Sequence, residues 1–239
     1  MNLPAGRSLA VFEDALHVDR PHPCPYLPGR IATHEYFSAE RLDPDAYRRL
    51  MDLRFRRSGQ VIYRPACQGC RECVPIRVPV AGFRPSRSQR RIIRRNADLA
   101  IAIGPPSPDA EKWRIFREYL HYQHDDAKQS SREEFEAFLY RSPTETLEMT
   151  YRHGERLVAA GIVDLCPQAM SSVYFYFDPA ESRRSLGTFG GLTEIEECRR
   201  RGLEHWYIGY YVRDCRGMNY KAAFRPYELL GADGRWEPA

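Results

Sequence analysis

Residues 67–73 read CQGCREC, so three of the chain's seven cysteines fall within seven residues at a C-x2-C-x2-C spacing. Sulfurs so placed can bind zinc or an iron–sulfur cluster, can pair as disulfides, or can sit reduced in a packed loop. An odd number of cysteines in a chain of 239 residues is unlike a disulfide framework. The start, MNLPAGRSLAVFEDALH, has no basic segment followed by an apolar one. It does not read as a secretory signal, and a cytoplasmic location is expected. The metal-bound state and the reduced, packed state both stay open on these residues alone.

A second set of chemistry-bearing residues is basic. Residues 1–104 carry 18 arginines against 10 acidic residues, whereas 105–239 carry 18 basic residues against 22 acidic ones. Only Lys112, Lys128 and Lys221 are lysines. Genome bias can favour arginine over lysine, but it does not crowd charge into one half. The asymmetry predicts a polyanion contact by the first half. Its densest stretch is FRPSRSQRRIIRRNADL, residues 83–99, which reads as a helix starting near Ser86 or Ser88. Spacings of three and four put Arg87, Arg91, Arg94 and Arg95 on one side, with Arg84 and Arg90 beside them. Like charges so concentrated repel one another. A phosphate-contacting surface is therefore expected, with a solvated basic face as the alternative.

The elements that must position these residues follow from pattern. At 43% hydrophobic and 28% charged, the chain can build one large domain or two small ones. No apolar run is long enough to span a membrane. IATHEYFS and QVIYRP read as strands. DPDAYRRLMDLRFRRSG reads as a helix with Asp43 as N-cap, Pro44 at its first position and Gly59 at its end. VPIRVPV alternates, but its prolines predict an edge strand or extended segment. LAIAIG is a strand, and a boundary is expected near Gly104–Pro108, dividing 1–104 from 105–239. Beyond it the reading gives a helix to about His124 and a second one with a Ser131/Glu134 capping box. A hairpin over LEMTYRHGERLVAAGIVDLC and a strand MSSVYFYFDP follow. Then come a loop feeding a helix ended by Gly202, and a strand EHWYIGYYV. The tail after Leu230 is expected to fray.

This order resembles the GNAT acyltransferase fold, in which two central strands splay apart and a loop at a helix N-terminus offers backbone N–H groups to a phosphate-rich donor. That loop would be SRRSLGTFGG, residues 182–191, with Arg183 and Arg184 in reach of phosphate. The expected fold class is α+β: a GNAT-like core in the C-terminal half, with a smaller, basic, cysteine-containing α/β N-terminal domain.

Four stretches sharpen the reading: CPYLPGR (24–30), CRECVPIRV (70–78), FRPSRSQRR (83–91) and WYIGYYVRDCRGMNYKAAFRPYELL (206–230). Together they resemble the arginyl-tRNA–protein transferase family, and more closely its bacterial branch that transfers leucine, across roughly residues 20–232. The resemblance implies that an aminoacyl group, leucine by the branch, moves from tRNA to the N-terminal α-amine of a protein beginning with Asp or Glu. The new N-terminus marks that protein for degradation. Aminoacyl-tRNA and such proteins are the implied partners, and the transfer itself requires no cofactor. Arginyl transfer is one alternative. An acyl-CoA-dependent N-acyltransferase of the same fold is another, and RRSLGTFG matches its pyrophosphate loop in part. A non-catalytic nucleic-acid-binding module is a third, though it leaves the second half without a role. The sequence does not specify an oligomeric state.

Within the implied reaction, Asp178 and Glu194 are candidate proton acceptors, and Tyr210, Tyr211 and Tyr220 can orient the ester. Recognition of an acidic N-terminal side chain calls for a fixed cation, with Arg77, Arg87, Lys221 and Arg225 as candidates. Arg84, Arg90, Arg91, Arg94, Arg95, Arg183 and Arg184 are the expected tRNA contacts. In the eukaryotic arginyl branch N-terminal cysteines bind a metal or iron–sulfur cluster through a motif that begins C-x2-C. Here Cys24 is kept but Leu27 stands where the second cysteine would be. Cys24, Cys67, Cys70 and Cys73 supply the four thiolates that a structural zinc ion or cluster requires.

Overall fold

Strand order in space departs from strand order in the chain, and that departure builds the site. The computed structural model describes residues 2–3, 16–123 and 131–239. A small sheet is made by β1 (His17–Val18), β2 (His34–Ser38), β3 (Arg56–Ser58) and β4 (Val61–Pro65), in the order β1-β2-β4-β3, with helix α1 (Pro44–Asp52) inserted after β2. The large sheet comprises β5 (Val74–Pro79), β6 (Ala100–Gly104), β7 (Thr146–His153), β8 (Arg156–Cys166), β9 (Ala169–Phe177), β10 (His205–Tyr211), β11 (Glu228–Leu230) and β12 (Trp236–Pro238). Its order is β6-β7-β8-β9-β10-β5-β11-β12. Neighbours are antiparallel except β9 and β10, which run parallel. Four further helices complete the frame: α2 (Arg87–Arg95), α3 (Ala110–Gln123), α4 (Arg132–Leu139) and α5 (Leu186–Arg200). His124, where the sequence reading ends α3, lies outside the described residues. No helix among the described residues is long and apolar enough to cross a membrane.

The sheet is covered on both faces, which explains why β8 is buried from Leu157 to Cys166 without alternation. On one face Leu186, Phe189, Leu192 and Ile195 of α5 pack against Met149, Tyr151, Val163 and Trp206. On the other, Ile115, Phe116, Phe135 and Leu139 of α3 and α4 pack against Ala160, Ile162 and Tyr176. Beside them Tyr47, Leu50 and Met51 of α1, with Ile62 of the small sheet, cover Ala169 and Tyr207.

Caps read from sequence are present. Asp43 accepts from the Asp45 and Ala46 N–H groups and Pro44 opens α1. Ser86 and Gln89 form a capping box on α2, as Ser131 and Glu134 do on α4. Gly202, at φ +70°, follows the end of α5.

Four expectations are corrected. The first helix ends at Asp52 and not at Gly59: Arg54 turns to φ +74°, and the Phe55 N–H returns to the Leu50 carbonyl. Arg56 and Arg57 therefore lie on a strand, and Gly59 (φ +60°) makes the turn between β3 and β4. VPIRVPV is not an edge. β5 lies between β10 and β11, because β11 pairs only with Ile76 and Arg77, while Pro75 and Pro79 flank that doubly paired stretch. The tail after Leu230 does not fray: β12 pairs with β11, and Trp236 packs edge-on against Tyr207, 5.4 Å between ring centres, with its Nε1–H donating to Asp52. The stretch read as a glycine loop is a 3-10 turn (Pro179–Arg184) followed directly by α5, which contains Gly187, Gly190 and Gly191. Strands from both sides of residue 104 share the large sheet.

Gly190 permits close approach of helix to strand. A Cβ there would lie 2.3 Å from Cε2 of Phe175. Gly190→Ala is expected to push the Phe175 ring aside at a cost of about 1–3 kcal/mol. Urea unfolding checks this, and an unchanged midpoint would refute it.

Candidate active site

β9 and β10 pair only over Ala169–Ser171 and His205–Tyr207. Beyond that they part, and each carries a bulge where they do. On β9, Ser172 faces Val163 and Tyr174 faces Ile162, leaving Val173 as the extra residue. On β10, Tyr207 faces Arg77 and Tyr210 faces Pro75, so one residue is again in excess. Bulges bend a strand out of the ladder. Gly209, at φ +87°, sits in the second one, in a conformation that side chains resist. The wedge between the strands holds a cavity of about 370 Å³. Ser171–Phe175 form one wall and Ile208–Tyr210 the other. Arg56, Arg57, Tyr63 and Tyr26 come from the N-terminal half, and Met218, Tyr220 and Lys221 from the segment after β10.

Two ionisable groups here are brought close to neutral pH. Lys221 is 7% exposed. Its Nζ donates to the Tyr210 carbonyl at 2.6 Å and contacts Met218 Sδ. Burial, with the Arg56 charge adding, lowers its pKa to about 7. Glu194 on α5 is 1% exposed. Its Oε2 accepts from Trp206 Nε1 at 2.7 Å, and Oε1 accepts from Ser172 on the cavity wall at 3.4 Å. Burial raises its pKa to about 7. A carboxyl raised on folding stabilises fully below its unfolded value and loses that contribution as pH rises through the folded one. Between pH 4.5 and 7 the protein is therefore expected to lose roughly 3 kcal/mol of stability through this group. Glu194→Gln removes that slope. Urea unfolding at pH 5 and pH 8 on both proteins measures it, and equal slopes would overturn the assignment.

The other sequence candidates are placed as follows. Asp178 caps the 3-10 turn, where Oδ1 accepts from the Ala180 N–H and Oδ2 pairs with Arg156 at 2.8 Å; it is not among the cavity's lining residues. Tyr210 lines the cavity, but its hydroxyl donates to the Arg54 carbonyl. Tyr211 is half-buried at the end of β10 and packs against the core, whereas Tyr220 is on the cavity wall. Arg77 pairs with Glu228 at 2.6 Å, donates to Tyr207 and lies over Trp236. Arg87 is exposed on α2, and Arg225 is exposed over the Tyr227 ring. Of the four candidate cations for an acidic N-terminus, only Lys221 lines the cavity, together with Arg56 and Arg57, which the sequence did not single out. A signal for the cleft was present in WYIGYY, since a glycine inside a strand marks a bulge.

Arg84, Arg87, Arg90, Arg91, Arg94 and Arg95 are all exposed and make no ion pair among the described residues. Arg95 donates to the Arg183 carbonyl, so exposed Arg183 extends the same ridge, while Arg184 is held by Asp98 and Glu181. Gln89 anchors α2 by donating to the Ala223 carbonyl, in the turn that carries Tyr220 and Lys221. Helix α2, which carries the arginine ridge, is thus tied to the turn that supplies Tyr220 and Lys221 to the cleft.

No cysteine lines the cleft, but Cys73 lies within electrostatic reach of its lining residues Tyr26, Tyr63, Tyr210 and Lys221, and Cys24 within reach of Tyr26. Cys24, Cys67, Cys70 and Cys73 are all unpaired and half-buried. Burial pushes the Cys73 thiol up to about 12, and Cys24, Cys67 and Cys70, within electrostatic reach, add to it. The donor set suits zinc or an iron–sulfur cluster. Among the described residues, the group of three ligating side chains whose donor atoms come within 4.8 Å of one another is instead Asp19, His22 and His34.

The chain matches two family models: arginine-tRNA-protein transferase, N terminus, over residues 22–91, and arginine-tRNA-protein transferase, C terminus, over 111–231. An aspartate/glutamate leucyltransferase of Pseudomonas fluorescens is 41% identical over 223 residues, covering 92% of this chain and 94% of that one. Its counterpart from Pseudomonas paraeruginosa is 40% identical with the same coverage. The crystal structure of FemX superposes with a TM-score of 0.50 at 7% identity, covering 89% of this chain and 86% of that chain.

Proposed function

This chain belongs to the arginyl-tRNA–protein transferase family, in its leucyltransferase branch, and from that premise we propose that the cleft between β9 and β10 moves leucine from leucyl-tRNA to the N-terminal α-amine of proteins beginning with Asp or Glu. Such a product is marked for degradation through the N-degron pathway. What supports this reading is a parallel strand pair that splays into a cavity, with the arginine-bearing helix α2 tied to the turn that supplies part of its wall. The wedge takes the reacting ester and amine, and the ridge takes the tRNA backbone.

The donor is an activated ester, so the main task is positioning. The acceptor arrives largely as an ammonium, since an α-amine has a pKa near 8 and about a tenth is neutral at pH 7. After losing a proton it attacks the leucyl carbonyl. The C–N bond forms, the carbonyl oxygen gains charge, and the ester C–O bond to the tRNA ribose breaks. A proton released from the amine goes to the ribose oxygen. Glu194, reaching the wall through Ser172, and Lys221 titrate where such transfers are needed. Tyr220 lines the wall, and in this reading its hydroxyl donates to the carbonyl oxygen. Asp178, with both oxygens engaged elsewhere, is the weaker candidate. Cys24, Cys67, Cys70 and Cys73 would hold a structural zinc ion or cluster, which would pin the loops around Cys24 and Cys67–Cys73 together. A cytoplasmic location suits a tRNA donor.

The test supplies purified protein with radiolabelled leucyl-tRNA or arginyl-tRNA and peptides beginning with Glu, Asp, Lys or Ala. Label on only the Glu and Asp peptides, from leucyl-tRNA, is the expected result. Label from arginyl-tRNA would overturn the branch. No label, with CoA bound instead, would favour the acyl-CoA-dependent reaction.

A further inference from the structure

We propose that Arg56 is the receptor for the side-chain carboxylate of the acceptor's N-terminal Asp or Glu. The inference rests on the acceptor class given above, and it assigns the specificity to one guanidinium.

Arg56 and Arg57 are adjacent, both 5% exposed, and both line the cavity, yet their surroundings differ. Arg57 meets Asp164 through two bonds, Nε to Oδ2 and Nη2 to Oδ1, and its charge is neutralised inside the protein. Arg56 has no carboxylate partner among the described residues. Its acceptors are main-chain carbonyls: Met51 and Phe55 for Nη1, and Gly209 for Nη2. Its Nε is buried and has no acceptor. Beyond these it has only the faces of Tyr207 and Tyr210, 5.6 and 5.3 Å from its central carbon.

A buried cation without a counterion is costly, and a ligand that supplies the missing anion recovers that cost. The unfilled donors are Nε–H and the second hydrogen on Nη2. These two nitrogens share the edge of a guanidinium that carboxylates engage with two parallel bonds. The same wall supports the assignment from the other side. Lys221 is also buried there without a carboxylate, and the lining contains no Asp or Glu among the described residues, so the cavity wall offers no anion of its own to balance Arg56. A neutral or basic first residue leaves Arg56 unpaired, whereas Asp or Glu completes it. Arg77 and Arg225 do not offer this, since the first is already paired and the second is exposed.

The experiment measures binding and transfer separately on the full chain. Peptides differing only in a first residue of Glu or Gln are titrated against wild type, Arg56→Lys and Arg56→Gln, and the same proteins are assayed with leucyl-tRNA. Wild type is expected to prefer the Glu peptide. Arg56→Lys, which keeps the charge but loses the fork, should weaken Glu-peptide binding about tenfold, and Arg56→Gln on the order of a hundredfold, abolishing the preference over Gln. KM for leucyl-tRNA should not move. An equal loss on Glu and Gln peptides would assign Arg56 a structural role, and a rise in leucyl-tRNA KM instead would assign it to a phosphate. Either outcome overturns the proposal. An Arg56-dependent Glu preference in binding without leucyl transfer would keep the receptor and sink the donor assignment. Should both variants unfold, the Arg56 Nε–H resonance of the unmodified protein decides: it shifts with the Glu peptide and not with the Gln peptide, or the proposal fails.

Discussion

Replacing Arg90, Arg91, Arg94 and Arg95 together by glutamine is expected to weaken tRNA binding on the order of a hundredfold at physiological salt. The four are exposed on α2 and make no ion pair among the described residues, so their charge is available to solvent or to a polyanion. Each cation that neutralises a phosphate releases a counterion and contributes roughly 0.7–0.9 to the slope of log affinity against log salt. Losing four should flatten that slope by about three. The fold should tolerate the change, because α2 is fixed by the Ser86–Gln89 box, by Gln89 at Ala223 and by Ile92 in the core. At saturating tRNA, turnover should return. Filter binding across a salt series measures both effects, and an unchanged slope would show that tRNA lies elsewhere.

The second large effect concerns stability. Asp164 has no exposed side-chain surface, and neither does its partner Arg57. Asp164 accepts from Arg57 Nη2 at 2.7 Å, from the Tyr47 hydroxyl at 2.8 Å and from Thr146 at 2.7 Å. The group ties α1 and β3 to the large sheet beneath the cleft. Burial holds the Tyr47 hydroxyl well above its ordinary pKa, so it remains a donor. Asp164→Ala leaves the Arg57 charge buried and unpaired, and about 3–5 kcal/mol of stability should be lost. In a chain of this size that is a fall in Tm on the order of 10 °C. Replacing both partners by apolar residues of similar volume should cost far less, because no stranded charge remains. Denaturant unfolding of the single and double variants separates the cases. A mild Asp164→Ala would show that solvent reaches Arg57.

What the sequence revealed depended on the range of the forces involved. The starts of α1, α2 and α4, and the end of α5, were legible because caps act within three or four residues: Asp43, Ser86, Ser131 and Gly202. The arginine ridge was legible from spacing alone. The position of β5 was not, because its neighbours lie more than a hundred residues away, as the Arg77–Tyr207 contact illustrates with a separation of 130. Gly190 and Gly191 were read as a loop because glycine serves both turns and close packing, and only the Phe175, Trp206 and Phe224 rings decide between them. Lys221 and Tyr220, singled out in the sequence, line the cavity and Glu194 bonds to its wall, while Arg56 looked like one more charge on a helix. Its place is set by α1 ending early and by the Gly209 carbonyl, 153 residues away.

The placement of β5 between β10 and β11 also sets the order in which the protein can assemble as it is synthesised. Residues 74–79 emerge long before residues 205–211 and 228–230, their partners in the large sheet among the described residues. At ordinary elongation rates the interval is roughly 10 s. Throughout it the nascent segment presents two open hydrogen-bonding edges, the condition under which strands pair with the wrong chain. Pro75 and Pro79 each remove a donor from it, at places where the finished sheet does not need one from β11. The prolines that mimic an edge strand in the sequence thus act as gatekeepers, guarding a central strand while it is still, for a time, an edge.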